Sequence, residues 1–178
     1  CLCHDLGKGT TPADVLPRHI GHEERSARLL KGGCERWRVP RECRELADVV
    51  AREHGNIHRS EGLGAAALLR LLERCDAIRR PERFDEVLLA CECDARGRLG
   101  FGEQAYPQRE RLLGLGGEHA AQVVDSGVIA RQVMQQIGRS RENASEPPAA
   151  DAGPRIAQAL HAARAAAVAL ALKAESPT

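Results

Sequence analysis

His4 and Asp5 stand side by side in the opening run CLCHDLGKGTTP, with Lys8 three residues further on. An imidazole and a carboxylate are side chains that divalent metals take readily from proteins, and a lysine beside them is suited to meet an anion. On a helix, adjacent side chains diverge by about 100°, so such a pair grips one ion only if the ion sits against the flank between them. Other elements must bring the remaining ligands. His19 and His22 share a face at i, i+3, His54 lies on an apolar stripe, and Asp76 falls four residues after Leu72, toward the interior of its helix. Plainer roles stand beside these. His54 fits a core histidine bonded to a carbonyl at a helix C-terminus, and Asp76 in RCDAIRR fits a surface pair with Arg79 or Arg80. His119 and His161 belong to no constellation and read as surface residues.

Two other motifs fail on spacing. A phosphate loop needs glycine five residues before its Gly-Lys pair, where Leu2 stands, and Ser or Thr directly after the lysine, where Gly9 stands. Cys1-x-Cys3 and Cys91-x-Cys93 are spaced too tightly for structural zinc and read as free thiols acting as small hydrophobes.

Helices must position the candidate residues. Aromatic residues make up only 2% of the 178, so the core comes from Leu, Val, Ile and Ala, which favours an all-α fold. Periodicity and punctuation predict a helix over 19–38, with Ile20, Ala27, Leu30, Cys34 and Trp37 on one stripe, and a second from Pro40 to His54 capped by Gly55. Helices over 63–79 and 82–95 follow, the first burying Leu68, Leu69, Leu72 and Cys75, the second Phe84, Val87, Leu88 and Cys91. The expected organisation is a core over 1–100, a helical extension over 101–138, a flexible polar, Pro-rich linker over 139–154, and an Ala-rich helix over 155–174.

The net charge is +1, which gives no global field for nucleic acid. Nearly all the positive charge is arginine, whose fork suits phosphate oxygens, although a GC-rich genome yields the same bias. Seven cysteines, no signal peptide and no membrane-length apolar run point to a reducing cytoplasm. The chain opens without methionine and reads as a piece of a longer protein.

In order along the chain, HDLGKGTTP…RHIGHE, RVPRECRELADVVAREHGNIH, LLERCDAIRRPERF and CECDARGR…YPQR resemble the HD domain of the bacterial CCA-adding enzymes, which are tRNA nucleotidyltransferases. The resemblance covers residues 1–138, and the closing RIAQALHAARAAAVALAL is similar to that family's terminal helix. It implies an HD-domain helical bundle with additional C-terminal helices. It also implies a phosphohydrolase acting on 2′,3′-cyclic phosphates, 2′-nucleotides and phosphomonoesters with a divalent metal, magnesium or nickel, with manganese or cobalt as substitutes.

On this resemblance His4 and Asp5 match the HD doublet, Asp76 matches the distal aspartate that completes the metal site, and Lys8 matches the lysine that meets the phosphate. Asp5, Lys8 and His54 then carry catalysis, and His19 and His22, placed by their shared helix face beside the Gly-Lys turn, are expected to line the phosphate-binding rim. The superfamily's first histidine belongs to a preceding helix, and the nucleotidyltransferase head lies upstream. Cyclic nucleotides and tRNA are the implied partners, with Arg79, Arg80, Arg96 and Arg98 as contacts to the tRNA backbone. The alternative reading is a helical tRNA-binding body with an idle metal site.

Overall fold

The computed structural model describes residues 1–116, 121–142 and 152–175, and among these every regular element is helical. A short 3-10 helix over Leu6–Thr10 is followed by α1 (His22–Arg36), α2 (Arg41–His58), α3 (Ala65–Arg74) and α4 (Pro81–Arg96). Then come α5 (Pro107–Gly116), α6 (Ser126–Glu142) and α7 (Ala152–Glu175). The all-α expectation therefore holds.

Helix ends differ from the expected ones for reasons visible in the backbone. α1 stops at Arg36 because Arg38 turns left-handed at φ 51° and Val39 N–H donates back to the Cys34 carbonyl at 3.0 Å, a Schellman closure. Ile20 and Trp37 consequently fall outside the helix and are 67% and 71% exposed, whereas Ala27, Leu30 and Cys34 are buried as the stripe requires. Gly55 does not cap α2. It lies buried inside the helix, which continues to His58, and a Cβ there would come within 3.2 Å of the Arg59 guanidinium and 3.4 Å of Glu23 Oε1. Tertiary packing overrides the usual helix-ending tendency of glycine at this position.

The chain divides into two compact units, Cys1–Leu63 with Arg70–Leu113, and Gly64–Leu69 with Gly114–Thr178. In the first, α1 packs on the Leu6–Thr10 helix and on α2, and α2 packs on α4. Val50, Ala51 and Ile57 of α2 and Phe84, Val87, Leu88 and Cys91 of α4 are buried, each large side chain contributing about 1.5–3 kcal/mol relative to exposure. In the second unit α6 packs on α7, and Val133, Ile137 and Val168 are buried. Of the expected linker, residues 139–142 continue α6 and 152–154 open α7, while 143–151 lie outside the described residues.

Gly7 sets how closely the opening segment meets α1. Its N–H donates to Ser26 Oγ at 2.8 Å, its carbonyl accepts from Arg25 Nε at 3.1 Å, and a Cβ would fall 2.2 Å from the His22 carbonyl oxygen. A methyl group has no room against that backbone, and overpacking of this kind costs about 1–3 kcal/mol. Gly7→Ala should lower the melting temperature followed by circular dichroism by about 5 °C. Gly9→Ala should leave it unchanged, since nothing lies within 4 Å of a Cβ there.

Candidate metal centre

His4 and Asp5 lie on a turn rather than on a helix flank. His4 N–H donates to the Cys1 carbonyl at 3.2 Å, and Asp5 directly precedes the Leu6–Thr10 helix. Through the contact of Gly7 with α1, this turn is held against the start of α1, which carries His22, and α2 brings His54.

Among the described residues, His4, Asp5 and His54 each offer a donor atom such that all these atoms lie within 4.8 Å of one another. His22 Nε2 is 3.3 Å from Asp5 Oδ1 and 3.3 Å from His54 Nε2. The hydrogen-bond partners assign the tautomers. His4 Nδ1 faces the Cys1 carbonyl, His22 Nδ1 the His19 carbonyl at 2.9 Å, and His54 Nδ1 the Val50 carbonyl at 3.0 Å. A carbonyl only accepts, so each Nδ1 carries the proton and each Nε2 presents a lone pair to the same small volume.

Lone pairs facing one another at this distance repel unless a cation lies between them. His4 Nε2 and Asp5 Oδ1 are moreover buried without any hydrogen-bond partner, which is costly for polar atoms. Burial, with the His4 imidazole as the next contribution, holds the His54 pKa below its ordinary 6.5, so at neutral pH its Nε2 remains a ligand rather than a cation. Burial alone would raise the Asp5 pKa, but the Lys8 hydrogen bond and the neighbouring imidazoles hold it below the usual carboxylate value, keeping Asp5 anionic. Three imidazole lone pairs and one carboxylate, two of these donor atoms orphaned, fit a divalent cation.

The HD domain family matches residues 1–95. The chain belongs to that family. Relatives of the HD-domain chain include the Multifunctional CCA protein of Acidovorax sp. (strain JS42), 64% identical over 95% of this chain and 36% of the relative. Those of Polaromonas naphthalenivorans and Paracidovorax citrulli, with the same name, are 62% and 65% identical over 94% and 84% of this chain and 36% and 39% of their own lengths. The chain thus spans little more than a third of these relatives. No solved structure matches it.

Asp76 is not among the residues that this HD domain gathers around His4 and Asp5, which corrects the expected ligand set. Asp76 is the left-handed residue that ends α3, at φ 56°, with Ala77 N–H donating to the Leu72 carbonyl at 2.9 Å. Short polar residues tolerate that conformation. Its carboxylate accepts from Arg79 Nε at 2.6 Å, and Arg80 and Arg83 each approach Oδ2 to 3.5 Å. This is the surface ion pair that the sequence offered as the plainer role.

The acid that does reach the doublet is Asp94 of α4. Its Oδ1 is 3.2 Å from His4 Nε2, and its Oδ2 accepts from His58 Nε2 at 3.0 Å. His58 in turn accepts at Nδ1 from the Tyr106 hydroxyl at 2.9 Å. Burial alone would raise the Asp94 pKa, but the His58 hydrogen bond and His4 hold it below the ordinary carboxylate value. Sequence reasoning passed over both residues, although the signals were present: His58 follows His54 by four and Asp94 follows Cys91 by three, so each continues a buried helix face.

The other expected residues separate. Lys8 Nζ lies 2.6 Å from Asp5 Oδ2, beside the cluster. His22 belongs to the cluster itself, whereas His19 Nδ1 donates to Thr11 Oγ1 at 2.8 Å and fastens the loop before α1. Arg79 pairs with Asp76, and Arg80 Nη1 lies 2.9 Å from Glu45 Oε2. Arg96 Nη1 lies 2.9 Å from Glu92 Oε1 and Arg98 Nη2 4.0 Å from Asp94 Oδ2. All four candidate tRNA contacts therefore have an acid beside them. The seven cysteines are free thiols, and no helix among the described residues is long and apolar enough to cross a membrane.

Proposed function

We propose that this HD domain is the phosphohydrolase part of a CCA-adding tRNA nucleotidyltransferase. It would cleave 2′,3′-cyclic phosphates, 2′-nucleotides and phosphomonoesters with magnesium or nickel, or with manganese or cobalt in their place. The carrying observation is the convergence of the His4, His22 and His54 Nε2 lone pairs on Asp5, with two of the gathered atoms buried and unpartnered. The name shared by the relatives supports the nucleotidyltransferase parentage, and tRNA is then the partner of the longer protein.

His4, Asp5 and His54 would hold the cation, with His22 closing the same side. Such an ion supplies Lewis acidity to a phosphoryl oxygen and lowers the pKa of water. Asp94 Oδ1, 3.2 Å from His4 Nε2, would face the same cation as a further anionic donor, and its orientation is fixed by the hydrogen bond from His58. Lys8, with its side chain 40% exposed beside Asp5, is placed to offset the charge of an incoming phosphate. His54, kept neutral by burial, remains a ligand and does not compete with the cation by carrying a proton.

Hydrolysis of 2′,3′-cyclic AMP by the chain tests this reading. Turnover should require added divalent metal and stop with a chelator. A folded chain that is inactive with magnesium, manganese, nickel and cobalt alike would favour the idle-site alternative.

A further inference from the structure

A second site lies between α1 and α2, away from the histidine cluster. A groove of about 500 Å3 is lined there by six cationic side chains and two acids, Glu45 and Asp48. The lining carries an excess of four positive charges, which Glu24, 2.8 Å from Arg52 Nη1 and outside the lining, lowers to three, against +1 for the whole chain. Arg41, Arg52 and Arg83 are engaged with acids: Arg41 Nε lies 2.6 Å from Glu45 Oε1, Arg52 Nε 3.0 Å from Asp48 Oδ2, and Arg83 Nη1 3.3 Å from Glu45 Oε2. The other three, Arg28, Lys31 and Arg44, are exposed and have no side-chain hydrogen bond or ion pair among the described residues.

Arg28 and Lys31 are three apart and so neighbours on the surface of α1, while Arg44 reaches the groove from α2. The floor includes Leu30 and Val49. These exposed cations keep their hydration but repel one another, and gathering them in one concave strip raises the local positive potential, which favours an anionic ligand. We propose that this groove binds the phosphodiester backbone of an RNA strand. Three free cations in one strip match a ligand with repeated phosphates rather than a single anion. The concave shape favours a strand over a bilayer, because a strand can enter a groove that a bilayer surface only spans, and Leu30 in the lining, only 5% exposed, offers no apolar face to insert. The inference stands on charge and shape and does not depend on the hydrolase reading. It also moves the RNA contact away from Arg79, Arg80, Arg96 and Arg98, which already face acids.

Fluorescence anisotropy of the chain with a labelled single-stranded RNA 20-mer tests it. Arg28→Gln/Lys31→Gln/Arg44→Gln should weaken binding at low salt by about 10-fold or more and reduce the slope of log affinity against log salt by about 2. A control of equal charge, Arg18→Gln/Arg70→Gln/Lys173→Gln, removes exposed cations outside the groove and should change both far less. Should the triple variant melt early by circular dichroism, Lys31→Gln alone should still lower the slope by about 0.7. Equal losses in both triple variants, or none in the groove variant, would overturn the proposal. So would groove-dependent binding to phosphatidylserine vesicles with RNA binding unaffected.

Discussion

Asp5→Asn should lower divalent-metal affinity by about 100-fold or more and take hydrolysis of 2′,3′-cyclic AMP with it, since loss even of a residue supporting a ligand costs about 10–100-fold. The substitution preserves shape and removes the charge. Asp5 Oδ1 lies 3.3 Å from His22 Nε2 and 3.7 Å from His54 Nε2, and Oδ2 lies 3.3 Å from His4 Nε2 and 2.6 Å from Lys8 Nζ. An amide supplies one neutral, weaker oxygen and leaves the Lys8 ammonium beside the imidazoles without its ion-pair partner, so the site attracts a cation far less, with Asp94 as the acid that still reaches it.

Some of the effect will reach the fold, and its sign is fixed. The folded-state pKa of Asp5 is below its ordinary 3.8, so the ionised group stabilises the native chain above that value, and this contribution is lost as pH falls through the folded-state value. The stability difference between wild type and Asp5→Asn should therefore be present at pH 7 and shrink below pH 3.8. The metal defect, measured at pH 7 on protein shown to be folded, separates from it. CCA addition by the longer protein should be largely retained, because on the proposed parentage that chemistry resides in another domain.

The second large effect is a contrast between two aspartates. Asp94→Asn should reduce metal affinity by about 10–100-fold, because the amide replaces the carboxylate that sits between His4 Nε2 and His58 Nε2. Asp76→Asn should leave metal affinity and hydrolysis unchanged. Its loss falls on the Arg79, Arg80 and Arg83 contacts at the end of α3, where asparagine still tolerates the left-handed backbone. Isothermal titration with manganese on the two variants reads the difference directly. Equal defects, or a defect confined to Asp76→Asn, would return the distal role to Asp76.

The misplacement of that aspartate shows where the sequence was legible. The doublet, the lysine after it and His54 could be recognised because they are defined by adjacency and by a stripe continuing from Val50. Asp76 followed Leu72 by four and so looked internal, but α3 had already ended, and the left-handed turn at Asp76 aimed its carboxylate at arginines instead. Nothing in RCDAIRR distinguishes a last helical turn from a Schellman closure without glycine. His58 was lost through the opposite error. Gly55 looked like a cap, and only the closeness of Arg59 and Glu23 to its missing Cβ explains why glycine belongs within a continuing helix. With the helix ended too soon, His58 had no face to share with His54, and Asp94 had no visible partner. The core was easier to read, since Leu68, Leu69, Leu72, Phe84, Val87 and Leu88 are all buried where the period places them.

The central claim is that the His4, Asp5 and His54 donors form a site for one divalent ion, and cobalt titration followed by visible absorption tests it most directly. The account predicts saturable uptake of one cobalt per chain with ligand-field bands, and loss of those bands in folded Asp5→Asn and His54→Ala variants. A folded wild-type chain showing no saturable bands, or bands that persist unchanged in both variants, would contradict it.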